Sequence, residues 1–230
     1  MNGQTLADNI SNLLERVRLG AEKSQRCPDD ILLLAVSKTR SPEEIRAAHA
    51  AGLRHFGESY LQEAIEKIPA LQDLDLVWHF IGPIQSNKTR AIAAHFDWVH
   101  SVDRLKVARR LSEQRPADLP PLQVCLQVNI SGEASKSGAT LAELPELARA
   151  VSSLPRLQLR GLMAIPAPND DVQQQRRVFA RVREALVELE ATVPPLDTLS
   201  MGMSGDLEAA IAEGATIVRP GTAIFGPRDG

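Results

Sequence analysis

A single lysine in the first third of the chain stands where a reactive amine would be placed. Lys38 follows the apolar run 31–36 almost directly, so its amine comes just where a buried strand should end. An amine withdrawn from water favours its neutral, nucleophilic form, and such lysines form Schiff bases with carbonyl compounds. The alternative is an ordinary solvated loop lysine, and position alone does not exclude it.

A second candidate region lies near the C-terminus, where small and hydroxyl residues cluster. Segment 200–206 reads Ser-Met-Gly-Met-Ser-Gly-Asp and leads into a predicted helix, while Gly221 and Thr222 follow the last predicted strand. Loop amides and the hydroxyls of Ser200 and Ser204 can together hold an anion such as phosphate. Either loop alone could be an ordinary glycine turn, but the pair favours one phosphate site.

Polar residues at further strand ends favour a pocket at one end of the fold. His79 and Asn87 lie around the end of one predicted strand, and Asn129 lies at the end of another. Arg219 ends the last predicted strand, where it could point into the same opening or form a surface ion pair. These positions predict a lined binding site.

The elements that must position these residues alternate between apolar strands and helices. An amphipathic helix within residues 1–26 comes first and is expected to pack on the rest. The alternation predicts a single α/β domain over residues 1–230, a (β/α)8 TIM barrel, with a doubly wound sheet as the alternative. Strands are predicted at 31–36, 53–56, 76–81, 97–100, 122–130, 157–165, 196–200 and 215–219, and helices near 42–51, 59–67, 86–94, 103–114, 141–152, 171–191 and 205–212.

Composition argues against several classes of partner. The formal net charge of −3 gives no electrostatic footprint for nucleic acid or for an anionic membrane surface. The N-terminus lacks the apolar centre of a signal peptide, so we expect a cytoplasmic protein. Cys27 and Cys125 have no metal or redox spacing, and neither a disulfide between them nor a metal site is expected.

Six sequence motifs closely resemble those of the pyridoxal 5′-phosphate homeostasis proteins. In chain order they are AVSKTR, FGESYLQE, WHFIGPIQSNKTR, NISGEASKSG, GLMAI and SMGMSGDLEAAIAEGATIVRPGTAIFG, from about residue 31 to the end. That family is similar in fold to the barrel domain of alanine racemase. The resemblance implies an internal aldimine between Lys38 and pyridoxal 5′-phosphate, and Arg219 beside the pyridine nitrogen.

The resemblance also implies phosphate contacts from Ser200, Ser204, Gly221 and Thr222. The sequence departs from the family at two positions, because members usually carry Asn in place of Ser59 and a branched apolar residue in place of Pro220. Proline removes one amide donor from the predicted phosphate loop. The full cofactor-binding set expected is Lys38, Tyr60, His79, Asn87, Ser200, Met201, Ser204, Arg219, Gly221 and Thr222.

A cofactor carrier is the function we expect, without strong catalysis. Arg219 has donors only, so it would pair with an unprotonated ring nitrogen and weaken the electron sink that amino-acid chemistry needs. We also expect that no second domain covers the mouth and that the protein is a monomer. Its expected partners are apoenzymes that depend on pyridoxal 5′-phosphate. The alternatives are a fold type III amino-acid racemase with Tyr60 or Lys136 as proton donor, and a sugar-phosphate isomerase using Glu58.

Overall fold

The computed structural model describes residues 3–131 and 137–227, in which parallel strands form a nearly closed barrel surrounded by helices. Around the barrel the strands follow the order β1-β9-β8-β7-β6-β5-β4-β3-β2. They are β1 (Leu32–Leu33), β2 (Ala35–Val36), β3 (His55–Glu58), β4 (Val77–Phe80), β5 (Trp98–Val102), β6 (Leu122–Gln127), β7 (Leu157–Met163), β8 (Thr198–Ser200) and β9 (Ile217–Val218).

The barrel closes through β1 and β2, which are two halves of the predicted strand 31–36. β1 pairs with β9 and β2 pairs with β3, so the segment lies between the last strand, β9, and β3 and links them into a ring. Leu34, between the halves, donates its amide to the Val218 carbonyl at 2.9 Å, and the Val36 amide of β2 donates to the Pro220 carbonyl at 3.0 Å. The predicted (β/α)8 barrel is therefore confirmed, and the open-sheet alternative is wrong.

Helices follow the strands as predicted, with capping residues at several starts. Ser41 caps the helix that begins at Pro42 through a capping box with Glu44, and Asp171 caps the longest barrel helix. One short helix after the last strand was not predicted. The helices are α1 (Gly3–Lys23), α2 (Pro42–Ala50), α3 (Leu61–Lys67), α4 (Thr89–His95), α5 (Leu105–Gln114), α6 (Leu144–Ser152), α7 (Val172–Leu189), α8 (Leu207–Ala212) and α9 (Thr222–Phe225).

The main core lies between the barrel wall and its helices, and α1 extends it. Ile10 and Leu13 are almost wholly buried where α1 packs against α8 and α9. Burying one such side chain stabilises the fold by about 1.5–3 kcal/mol. Both cysteines are free, and Cys125 is buried in the core as predicted. Among the described helices, none combines the length and apolar character that crossing a membrane requires.

Candidate functional site at the carboxyl end of the barrel

Lys38 lies at the mouth of the barrel, two residues after β2 ends. The Ser37 amide still donates to the Gly57 carbonyl at 3.0 Å, so the strand pairing reaches to the residue before the lysine. The Ser37 hydroxyl points outward and donates to Glu58 at 2.6 Å. If the alternation of the strand continues past Ser37, we expect the Lys38 side chain on the other side, toward the barrel interior. Its side chain is half-buried.

A buried ion pair supports the Lys38 loop from outside the barrel wall. The Lys67 ammonium, on α3, donates to Glu58 at 2.9 Å, to the Ser37 carbonyl at 3.0 Å and to Glu63 at 2.5 Å. Glu63 also accepts from the backbone amide of Thr39 at 2.6 Å, where φ is +65°. The residues on both sides of Lys38 are thereby fixed to α3.

Burial raises the pKa of Glu58 above its usual value near 4.5, and the neighbouring Lys67 opposes that rise. Glu58 is fully buried, and one of its carboxylate oxygens has no hydrogen-bond partner within the described residues. Since the carboxylate faces α3 rather than the mouth, it is badly placed to act as the base of a sugar-phosphate isomerase.

We expect Lys67→Met to lower the unfolding free energy by about 3–5 kcal/mol, because it leaves the Glu58 charge buried without its partner. A raised carboxyl pKa in the folded state stabilises the fold below the unfolded pKa, and that contribution is lost as pH rises. Removing Lys67 raises the folded pKa of Glu58 further. The loss should therefore be smaller near pH 4.5 than at neutral pH, as urea denaturation would measure.

The control for this prediction is Lys106→Met, which removes an exposed lysine from α5. It should change the unfolding free energy by less than about 0.5 kcal/mol. An equal effect of Lys67→Met at both pH values would show that the pair does not hold a charged Glu58.

The rim next to Lys38 is built from the loops after β8 and β9, because β9 pairs with β1. The Ser204 hydroxyl accepts from the Thr222 hydroxyl and from the Ala223 amide, both at 3.2 Å. Because both acceptor positions of Ser204 are used in this way, its own proton can be donated to a ligand. Gly202, at φ +93°, lets the first loop turn tightly, since a Cβ there would lie 2.5 Å from that of Ala210.

Inside the barrel, Arg219 starts a continuous line of hydrogen-bonded side chains. Its guanidinium donates to the Ser200 hydroxyl at 2.7 Å and to the Ala164 carbonyl at 2.9 Å. The Ser200 hydroxyl contacts His100 Nδ1, also at 2.7 Å. His100 Nε2 then contacts His79 Nδ1 at 2.8 Å. The line spans the barrel interior beneath the mouth.

The line ends at His55, the first residue of β3, whose Nδ1 lies 2.9 Å from His79 Nε2. Arg219, Ser200, His100 and His79 are buried, and His55 is half-buried. The five residues therefore connect the two ends of the barrel.

Burial sets the electrostatics of this line. Desolvation lowers the pKa of Arg219 to about 10, which still leaves the guanidinium charged at neutral pH. Burial, with the positive charge of Arg219 nearby, lowers the pKa of His100 to about 3. The pKa of His79 is also well below its usual value, and that of His55 is lowered, chiefly through desolvation. One cation beside three neutral imidazoles makes the interior attractive to an electron-rich ligand.

The structure divides the expected site residues into three places. Lys38, Ser204, Gly221 and Thr222 lie at the mouth, and the Met201 amide, directly after β8, donates to the carbonyl of Ile217 in β9. His79, Ser200 and Arg219 lie inside the barrel. Tyr60 and Asn87 are exposed and line a separate groove with residues of α3 and α4. Lys136, the alternative proton donor, lies outside the described residues.

The two departures from the expected motifs lie near the mouth. Ser59 lines the same groove as Tyr60, and its carbonyl lies so close to Gly82 that a Cβ there would be 2.1 Å away. Pro220 is buried, and its carbonyl accepts the Val36 amide that helps to close the barrel. Proline at this position is compatible with the strand pairing, since the barrel uses its carbonyl.

Sequence reasoning missed His55, His100, Ser37 and Lys67. A signal for the first two was present, because His55, His79 and His100 each occupy an inward position on consecutive strands β3, β4 and β5. Lys67 gave no comparable signal, since a lysine at the end of an amphipathic helix is normally exposed.

Comparisons with known proteins agree with this architecture. The family model of the alanine racemase N-terminal domain matches residues 6–229. The alanine racemase of Corynebacterium glutamicum superposes with a TM-score of 0.70 at 18% identity, covering 96% of this chain and 61% of that one. At that identity the likeness shows the fold alone. Fold and family model thus define a barrel of the alanine racemase type.

Two curated relatives are pyridoxal phosphate homeostasis proteins. That of Pseudomonas aeruginosa is 64% identical over 225 residues, covering 98% of this chain and 96% of its own. That of Escherichia coli is 54% identical, covering 97% of each. PipY of Synechococcus elongatus, solved with PLP bound, superposes with a TM-score of 0.83 at 40% identity, covering 96% of this chain and 100% of that one. The chain belongs to the family of pyridoxal phosphate homeostasis proteins.

Proposed function

We propose that this protein binds pyridoxal 5′-phosphate at the carboxyl end of its barrel and acts as a carrier or buffer in the homeostasis of that cofactor. One observation carries the proposal. The amine of Lys38 and the hydroxyl pair of Ser204 and Thr222 lie at the mouth of the barrel, and the cation of Arg219 lies inside it, directly after β9. The names of the relatives and the PLP-bound structure of PipY support it.

The residues of the mouth fit the chemistry of the cofactor. When bound, pyridoxal 5′-phosphate supplies an aldehyde that reacts with amines and a ring that withdraws electrons. The Lys38 amine would hold the aldehyde carbon. The Ser204 hydroxyl and the backbone amides at Gly221 and Thr222 would hold the phosphate, since these donors suit an anion.

Arg219 would donate to the ring nitrogen. Its two hydrogen bonds use only two of the five N–H groups of a guanidinium. The Ser200 hydroxyl contacts Arg219 and His100, which supports a role in orienting Arg219, whereas its phosphate contact stays a prediction. Direct cofactor contacts from Met201, His79, Tyr60 and Asn87 stay predictions, since His79 reaches Arg219 only through other residues and Tyr60 and Asn87 line the separate groove.

A carrier role agrees with the hydrogen-bonding capacity of Arg219. Catalysis at an amino-acid Cα is strongest when the ring nitrogen carries a proton, and a guanidinium has no acceptor for that proton. We propose one cofactor-binding domain over residues 1–230. The monomeric state, the cytoplasmic location and delivery to dependent apoenzymes stay predictions.

Titration of the cofactor-free protein with pyridoxal 5′-phosphate tests the proposal. A visible absorption band that remains with the protein after gel filtration is expected. Incubating the loaded protein with amino acids in deuterated solvent tests the racemase alternative, because a racemase exchanges the α-proton catalytically. A protein that never acquires the band does not bind the cofactor covalently, and sustained turnover in deuterated solvent would favour the racemase.

We expect Ser204→Ala to weaken cofactor retention about tenfold or more, since a hydrogen bond to a charged group contributes about 1.5–3 kcal/mol. Fluorescence or absorbance titration would measure the dissociation constant. Ser153→Ala, which removes an exposed hydroxyl beyond the end of α6, is the control and should bind as the parent does. Unchanged retention in Ser204→Ala would show that the phosphate is bound elsewhere.

A further inference from the structure

The interior line of hydrogen bonds has a direction, and Arg219 sets it. A guanidinium only donates, so Ser200 Oγ accepts from Arg219. The single proton of the Ser200 hydroxyl is then donated to His100 Nδ1, its other contact. A neutral imidazole that accepts at Nδ1 carries its proton on Nε2.

The same reasoning passes along the two remaining contacts. His100 Nε2–H donates to His79 Nδ1, and His79 Nε2–H donates to His55 Nδ1. All three histidines are therefore expected as the Nε2–H tautomer. The opposite direction would leave the Ser200 hydroxyl accepting from both Arg219 and His100, with its own proton unused in a fully buried position, which is costly.

The rings are held in place for this arrangement by stacking. Trp98 stacks on His79 with the ring centroids 5.4 Å apart and the planes 14° from parallel. The guanidinium of Arg160 lies over the Trp98 ring, 4.9 Å from its centroid. His79 therefore has a fixed plane as well as two fixed neighbours.

We propose that His79 and His100 are positioning residues, which orient Arg219 through Ser200 by a one-way chain of Nε2–H histidines. Both hydrogen-bond acceptors of Arg219 are neutral, the Ser200 hydroxyl and the Ala164 carbonyl. Chains of hydrogen bonds polarise one another, so each imidazole makes Ser200 a better acceptor for the guanidinium. The role of Arg219 toward a ring nitrogen rests on the proposed function, whereas the direction of the chain does not.

Nitrogen-15 NMR of the histidine side chains in the full-length, cofactor-free protein tests the direction. His55, His79 and His100 should each show the Nε2–H tautomer at neutral pH, with signals assigned by their loss in single histidine variants. Nδ1–H tautomers or charged imidazoles at His79 and His100 would overturn the proposal.

Substitutions at His79 test the positioning role, because three hydrogen bonds separate this residue from Arg219. His79→Phe keeps a ring against Trp98 and removes both nitrogens, and we expect retention of pyridoxal 5′-phosphate to weaken about three- to tenfold. The pH midpoint of the visible band should shift as well. His79→Gln can accept from His100 and donate to His55, so it should restore both properties in large part.

His49→Phe is the matched control, because His49 lies on α2 outside the barrel. It should leave both the retention and the band unchanged. Parent-like retention and band in a folded His79→Phe would overturn the positioning role. If the parent itself fails to bind pyridoxal 5′-phosphate, the proposed function is wrong and the positioning role falls with it, while the NMR result still decides the direction of the chain.

Discussion

Lys38→Ala is expected to abolish the visible absorption band of the loaded protein and the covalent label that borohydride leaves on it. Lys38 follows β2 at the mouth and is half-buried. Absorbance before and after reduction, followed by peptide mapping, would measure the effect. In the parent, the label should map to the peptide that contains Lys38.

The covalent link is only part of the expected binding. The hydroxyl pair at Ser204 and Thr222 and the guanidinium of Arg219 remain in Lys38→Ala, so weaker non-covalent retention should persist. Lys106→Ala, at an exposed position of α5, should keep both the band and the label. A label in the parent that maps to Lys88 or Lys136 would contradict the assignment.

The barrel could be predicted from the sequence because each unit carried its own local signal. Apolar runs, capping residues such as Ser41 and glycines at helix ends fix the alternation of strands and helices, and alternation alone favours parallel pairing. Strand ends were less certain. The predicted strand 53–56 is found at His55–Glu58, because strand limits depend on the pairing with β2 and β4, which local sequence does not specify.

Candidate residues at the mouth could be chosen from local sequence, whereas His55 and His100 in the interior were not. Lys38, Ser204 and Thr222 belong to loops whose composition shows what they can bind. Inward polar residues such as His100 become interpretable only when residues from four or five strands are brought together. The role of a buried histidine depends on its hydrogen-bond partners, and those partners are distant in sequence.

Arg219→Glu is expected to weaken cofactor retention and, for each cofactor still bound, to speed exchange of the α-proton of an amino acid. A carboxylate next to a base raises the pKa of that base by about 1–3, so the protonated fraction of the ring nitrogen should rise about tenfold or more. A protonated ring is the stronger electron sink. Exchange in deuterated solvent, normalised to bound cofactor, would measure the effect.

The control is Arg109→Glu, which makes the same change of charge at an exposed position of α5. Arg219→Gln is a second control, which separates the effect of the new carboxylate from that of losing the guanidinium, because it buries no charge. It should retain cofactor poorly without the faster exchange. An unchanged exchange rate in Arg219→Glu, with the cofactor still on Lys38, would remove the electronic argument for a carrier.

The same substitution should also reverse the interior chain. A carboxylate at position 219 accepts hydrogen bonds, so the Ser200 hydroxyl would donate to it and accept from His100 Nδ1–H instead. His100, His79 and His55 would then all become Nδ1–H tautomers, a change that nitrogen-15 NMR detects without any cofactor. Because only the direction set by residue 219 links these distant rings, a concerted change in all three would show that Arg219 determines the polarity of the barrel interior.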